Sequence, residues 1–483
     1  MFRLKTSNFI HLAVWVLISA SSVHAEEKRP GFFSRLFTKK TAQTPSAPQT
    51  PAPPPAPSIP YHSYFSDPKL LALIDSALKS NFDLKIALQR IEGSRARLIA
   101  ARGALRPTVD GVAGYSRTKF GDYTMDGAGN NGTPIYRAEG MTIPRDLPDY
   151  LIGFQATWEI DLWGKLRSQR EAAATRLLAS DEARRWVQTT LIADLATAYY
   201  ELVALDAQLS TLADTKRIQN EALEALKAQK QAGAANQLAV EQFQAQLLDL
   251  DSQKLEVQQT IVETEGSISM LLGEQRRNIP RSSDLAAARL PSLASKVPAT
   301  YLANRPDIRA AELEVAASKA DLATAKAQFY PSLSLTGLLG LQAFRPELLV
   351  TAHSATYNAA GSLIAPLINR AAIKAQFKEA SATQLEALYS YQQALVNGYV
   401  EVNNQLSLLR LLDQARSVKQ QQVRLLTTSI TTAGDLFKNA RATYLESLSA
   451  QQAALDARLS LLDLKKRQLQ TSVALYKALG GGV

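Results

Sequence analysis

The chain has 483 residues, 54 Lys plus Arg against 44 Asp plus Glu, no Cys and four His. Without Cys there is no disulfide, thiolate metal site, Cys nucleophile or lipid anchor on an N-terminal Cys. His11 and His24 fall in a leader, so only His62 and His353 remain, and no zinc, copper or His-dependent catalytic site is expected. Apart from Lys28, Arg29, Arg35, Lys39 and Lys40 the basic charge is scattered, which argues against a nucleic-acid partner.

Residues 1–25 read as a secretory signal. Arg3 and Lys5 precede an apolar run, Ile10 to Ile18, too short to span a bilayer, and Val23-His24-Ala25 offers a small-x-small cleavage site before Glu26. Residues 26–63 form a basic and Pro-rich linker, densest in Pro over 41–60 and without the apolar content for a core. Order is expected to resume near Tyr64.

From Pro68 to Ala104 the pattern is helical, with Leu70, Leu73, Ile74, Ala77 and Leu78 on one face and a break with fresh start at Asn81 and Asp83. Pro107 ends that helix, and the texture changes. Residues 107–115 and 151–160 alternate as strands, Ile152, Phe154, Ala156, Trp158 and Ile160 opposing Gly153, Gln155, Thr157 and Glu159. The Gly/Asn/Asp-rich stretch 116–150 between them reads as a long exposed loop.

The rest is helical at unusual length. Leu191, Leu195, Ala198, Leu202, Leu205, Leu209 and Leu212 step by four and three. So do Leu385, Leu388, Gln392, Leu395, Tyr399, Val402, Leu406 and Leu409, and again Leu445, Leu448, Gln452, Leu455, Leu459, Leu462, Lys466 and Leu469. Such spacing predicts left-handed coiled-coil packing. A continuous helix over 164–230 runs about 100 Å at 1.5 Å per residue.

A second pass through the chain repeats the first. Asp83 and Asp307 are 224 residues apart, as are Pro107 and Pro331, whereas Leu272-Gly273 and Leu479-Gly480 are 207 apart. The chain therefore divides into a first repeat at 64–273, a connector at 274–304 and a second repeat at 305–483. The second repeat holds its own hairpin at about 331–368. There Leu333, Leu335 and Leu339 alternate with Ser334, Thr336 and Leu338, and Tyr357, Ala359, Leu363, Ala365 and Leu367 with Asn358, Ser362 and Pro366. The 17 residues lost between the copies are assigned mainly to the first copy's longer hairpin loop, the first hairpin covering about 107–163.

Strands of about ten residues are as long as tilted membrane strands must be, and a membrane barrel needs at least about eight of them. Four strands per chain therefore imply assembly, eight strands in a dimer or twelve in a trimer, with the rods continuing below as a tube. The competing reading is a soluble coiled-coil rod whose hairpins are caps. Its weakness is the large apolar face those caps would expose.

Three stretches carry a family likeness. They are Phe65-x-Asp67-Pro68-x-Leu70-x-x-Leu73-Ile74 with Asn81-x-Asp83-Leu84, then Trp158-Glu159-Ile160-Asp161-Leu162-Trp163-Gly164-Lys165-Leu166-Arg167, and Asn304-Arg305-Pro306-Asp307-Ile308-Arg309-Ala310-Ala311-Glu312 followed by Phe329-Tyr330-Pro331. In this order and spacing the chain resembles the TolC-like outer-membrane efflux proteins, particularly the outer-membrane factors of RND-type drug exporters, over about residues 64–480.

The resemblance implies a long α-helical coiled-coil barrel continued by a trimeric twelve-stranded transmembrane β-barrel. It implies a homotrimer acting as a passive exit duct, with no cofactor. Its expected partners are outer-membrane lipid, a periplasmic membrane-fusion adaptor and an inner-membrane pump of RND or ABC type. Service in type I protein secretion is the alternative within the family.

By the same resemblance two helix-turn tips, near 231–238 and 437–445, meet the adaptor through Gly233, Asn236, Leu238 and Val240 and through Ala440, Arg441, Thr443, Tyr444 and Leu445. Ordinary helix-connecting turns are the plainer reading of these segments. Ala440 stands where the first tip has Gly, so Asn439 is expected to take the left-handed position there. Phe437, Glu446 and Ser449 fall where the family forms its periplasmic constriction. Glu446 either contributes to a carboxylate ring or is a solvated residue on a helix face.

Overall fold

A computed structural model describes residues 59–482, leaving out 131, 136–139, 232, 234, 276–277, 283–284, 286–301, 303, 369 and 440. The leader and most of the Pro-rich linker lie outside the described residues, as does Ala440.

The elements follow the repeat. Helix α1 (Pro68–Ser80) and α2 (Phe82–Gly103) lead to strands β1 (Thr108–Lys119) and β2 (Asp146–Ile160), then to helices α3 (Lys165–Gln231) and α4 (Gln237–Leu272). The second copy gives α5 (Pro306–Ala327), β3 (Ser332–Ala343), β4 (Ala355–Ile364), α6 (Ala371–Lys438) and α7 (Tyr444–Ala478). At 67 and 68 residues, α3 and α6 are each about 100 Å long.

Capping explains the breaks. Asp67 accepts the Lys69 N–H ahead of Pro68, and Asn81 accepts the Leu84 N–H, so α1 and α2 meet at a residue that caps the second helix. Both repeats close on the same device. Gly273 (φ 67°) and Gly480 (φ 75°) sit in the left-handed region. The Glu274 N–H reaches Ser269 O and the Gly481 N–H reaches Tyr476 O, both at 3.1 Å and 207 residues apart, as in a Schellman motif.

The main core lies midway along the rods. Leu191, Ile192, Leu195, Tyr199, Leu202 and Leu205 of α3 pack on Leu70, Leu73 and Ile74 of α1, Ile268 and Leu272 of α4, and Leu469, Val473 and Tyr476 of α7. A second cluster toward the tips joins Leu212, Leu223 and Leu226 to Phe243, Leu247 and Leu250, and to Leu448 and Leu455. The seam expected on α6 behaves differently. Leu385 and Tyr399 are exposed, as is Leu445 of α7, while Val402 and Leu448 are buried. Among the described residues, α6 packs extensively on α5 and α7, and the rest of its surface stays exposed.

The four strands form one antiparallel sheet in the order β1-β2-β3-β4. The loop expected at 116–150 is shorter than that. β1 and β2 pair out to Lys119↔Asp146, because the Tyr115 and Tyr150 rings meet at a tilt across the ladder, 4.8 Å apart, and Arg117 bonds Asp146 at 2.9 Å. The remaining connection contains a short helix, Met125–Asn130. In the second copy the strand stops at Ile364, so Ala365 and Leu367, expected to continue the alternation, lie beyond the ladder on either side of Pro366, which has no N–H to give it.

Candidate functional site: the two-faced sheet and the helix tips

Alternation along each strand places side chains on opposite faces, and the registers show which residues share a face. One face carries Val109, Ala113 and Tyr115, then Ile152, Phe154, Ala156 and Trp158, then Leu333, Leu335, Leu339 and Leu341, then Tyr357, Ala359 and Leu363. Phe154, Leu339, Tyr357 and Leu363 on it are all more than half exposed. The other face carries Asp110, Ser116, Gln155, Thr157, Ser334, Thr336, Gln342, Asn358 and Ser362. The first face is apolar except at the loop end, where Arg117, Lys119 and Asp146 lie, and the second is mostly polar; such a two-faced sheet has the pattern of a membrane barrel wall.

The sheet joins the rods at a fixed corner. Trp163 donates its indole N–H to Pro331 O at 2.7 Å and stacks on Tyr330 at 4.9 Å. Asp161 caps α3 by accepting the Leu166 and Arg167 N–H groups at 3.1 and 3.0 Å, so the strand turns into the helix within four residues. Trp158 donates to Leu105 O, tying β2 to the end of α2.

At the opposite end the tips are built differently. Gly233 has φ 77°, and Asn236 caps α4 by accepting the Ala239 N–H at 2.9 Å. In the second tip Asn439 has φ −93° and ψ 15°, right-handed rather than left-handed. That turn closes instead through the Arg441 N–H on Leu436 O at 2.8 Å and through a capping box that starts α7. The Thr443 N–H donates to Glu446 Oε2 at 2.6 Å, and the Glu446 N–H donates back to Thr443 Oγ1 at 3.3 Å.

The sequence model of the family described as outer membrane efflux protein matches residues 73–274 and 297–481. The chain belongs to the outer membrane efflux protein family. The pyoverdine export outer membrane protein OpmQ of Pseudomonas putida is 31% identical to it over 86% of this chain and 87% of its own. The solvent efflux pump outer membrane protein SrpC of Pseudomonas putida is 29% identical over 87% and 86%. The open-state outer membrane channel MtrE of Neisseria gonorrhoeae superposes with a TM-score of 0.76 at 25% identity, covering 88% of this chain and 92% of that one. The protein is thus an outer-membrane efflux channel of a family of conduits rather than enzymes.

Within this efflux protein the residues expected at the tips separate by burial. Leu238 and Leu445 are more than half exposed, and Thr443 and Arg441 are exposed, whereas Val240 is buried against Phe243 and Tyr444 is half-buried. Val240 and Tyr444 hold the tips together; Leu238 and Leu445 offer apolar surface outward. Phe437 packs into the tip cluster, while Glu446 and Ser449 face solvent. The Thr443 N–H and then its hydroxyl hold the fully exposed Glu446 carboxyl below the usual carboxylate range, so its charge persists.

Sequence reasoning missed Arg305 as more than a motif residue. It is 3% exposed, pairs with Asp307 and Glu401 at 2.8 Å, lies over Trp186 and donates to Ala478 O. Apart from Asp307, its partners come from three separated segments, at Trp186, Glu401 and Ala478, which no local pattern reveals.

Proposed function

We propose that three copies assemble side by side into a twelve-stranded barrel in the outer membrane, continued by a helical tunnel across the periplasm, to form a passive exit duct. One observation carries this reading: the sheet has an apolar face, a polar face and two edge strands, β1 and β4, with no further strand paired to them among the described residues. Unpaired strand edges are not tolerated in lipid, and closure of the ring removes them. The roughly 100 Å helices that leave the sheet match the tunnel reading.

The duct supplies no energy, so an inner-membrane pump and a periplasmic adaptor deliver its cargo, and the exposed Leu238 and Leu445 are the adaptor's contacts. Relatives named for pyoverdine and solvent export make small molecules the cargo class. Near the tunnel's inner end three Glu446 residues set a modest cation preference. Both cap bonds fall on Oε2, and Oε1 has no hydrogen bond among the described residues, so an oxygen is left to face the lumen.

A photo-crosslinker placed at Leu238 or Leu445 in growing cells tests the assembly. Capture of an adaptor together with its inner-membrane pump is expected. Capture of neither from both positions, with the protein present in the outer membrane, would reject the tip reading.

A further inference from the structure

The contact between the two copies inside one chain is visible, and the internal repeat converts it into the contact between chains. In the strand ladders Thr108↔Thr157 of the first copy corresponds to Ser332↔Ile364 of the second. β1 therefore maps to β3 at 224 residues and β2 to β4 at 207, and the whole 17-residue difference falls between the paired strands of the first hairpin. The intrachain seam is β2 on β3, including Ala156↔Gly337. Carried forward by the repeat, this seam becomes β4 of one chain on β1 of the next, with Leu363 opposite Ala113. Both residues lie on the apolar face, so the transferred register keeps the two faces of the sheet continuous.

The helices below carry the same relation. α5 packs against both α3 and α6, but its first-copy counterpart α2 packs extensively against α3 alone. One side of α2 thus lacks the neighbour that α5 has. It is an open groove of about 860 Å³ lined by Phe82, Lys85, Ile86, Arg90, Gly93 and Arg97 among others. Phe82 and Ile86 are exposed there. At the intrachain seam, Arg176 of α3 binds Glu314 of α5 at 3.1 Å and also Asp321. The repeat maps Glu314 and Asp321 onto Arg90 and Arg97, and Arg176 onto Thr383. The acids have become bases, and the base has gone. One helical turn to either side of Thr383, the exposed Glu379 and Glu386 of α6 supply the missing opposite charge.

We propose that a second copy of this chain docks on the groove of α2 through the N-terminal third of its α6, with Arg90 and Arg97 against Glu379 and Glu386, while β4 and β1 pair with Leu363 opposite Ala113. The proposal rests on side-by-side assembly and specifies its register. The inverted charges keep the two seams distinct. α2 carries bases where α5 carries acids, so the intrachain α3–α5 contact and the interchain α6–α2 contact do not exchange partners.

Because the chain lacks Cys, engineered pairs report without background. In the full-length protein in outer membranes, Leu363→Cys is combined in turn with Gly111→Cys, Ala113→Cys and Tyr115→Cys and oxidised. The Ala113→Cys pair should link chains into dimers and trimers. The other two lie about 7 Å along the strand, beyond disulfide reach, and should lose most of that product. Stronger linkage through Gly111→Cys or Tyr115→Cys overturns the register. So does failure of all three pairs in a protein that still migrates as a trimer, whereas a protein monomeric throughout rejects the assembly itself. For the helices, Arg90→Glu/Arg97→Glu should weaken the detergent-resistant trimer, and adding Glu379→Arg/Glu386→Arg should restore it. An unaltered trimer in the first variant, or no recovery in the combined one, overturns the charge pairing.

Discussion

Asn81 and Arg305 occupy equivalent places in the two repeats and make the same bond. The Asn81 amide donates to Leu271 O at 2.8 Å, and the Arg305 guanidinium donates to Ala478 O at 3.0 Å. Each fastens the helix that rises to the sheet onto the end of the helix that returns from the tip. The copies differ in what else the residue holds. Asn81 also caps α2, whereas Arg305 gathers Asp307 and Glu401.

Replacing Arg305 with Met therefore strands two half-buried carboxylates and an unpaired carbonyl, at a cost of about 2–4 kcal/mol. Asn81→Ala loses a cap and one hydrogen bond, about 1–2 kcal/mol. Thermal melts of the detergent-extracted protein should rank Arg305→Met below Asn81→Ala, and both below the parent.

Gly273 and Gly233 share the left-handed backbone but not their surroundings. A Cβ on Gly273 would meet Ser80 O at 2.8 Å, and a Cβ on Gly233 would meet nothing within 4 Å. Gly233→Ala costs about 1 kcal/mol of backbone strain, and Gly273→Ala costs more because α1 and α4 must also separate. The melting temperature should fall clearly further for Gly273→Ala.

The corner at Trp163 sets how the sheet meets the rods. Trp163→Phe keeps a ring over Tyr330 and loses the bond to Pro331 O; Trp163→Ala loses both. Yield of the protein folded in the outer membrane should fall in that order, with the Ala variant more readily cleaved by added protease near residues 161–165.

The sign of the Glu446 titration is set by its cap. Its folded pKa is depressed, so its contribution to the start of α7 is present above the ordinary carboxylate value and is lost as pH falls through the lower folded value. Cation preference in planar bilayers should follow the same course, persisting through the ordinary carboxylate range and vanishing below it. Glu446→Ala should abolish the preference, and Thr443→Ala should retain it at neutral pH while moving its loss to higher pH. Unchanged selectivity in Glu446→Ala would remove the carboxylate ring.

Much of this architecture was legible in the residues because it is periodic. The alternation of Ile152, Phe154, Ala156 and Trp158 and the four-three spacing of Leu191 to Leu212 are local consequences of strand and helix geometry. The offsets of 224 and 207 located the missing residues before the ladders did. The exposed side of α6 was not legible, since Leu385 and Tyr399 follow the same spacing as buried Leu195 and Leu202. In the proposed assembly their partners belong to a neighbouring chain. The Asn439 turn went astray for a related reason: single-residue preference favoured a left-handed Asn, and the Thr443–Glu446 capping box supplied a different closure.

The side-by-side assembly is tested most directly by the native mass of the protein extracted from outer membranes in mild detergent. A particle of three chains, each no larger than the 52.6 kDa of the full sequence, is the predicted result. A stable monomer, with the edges of β1 and β4 left unpaired, would contradict it.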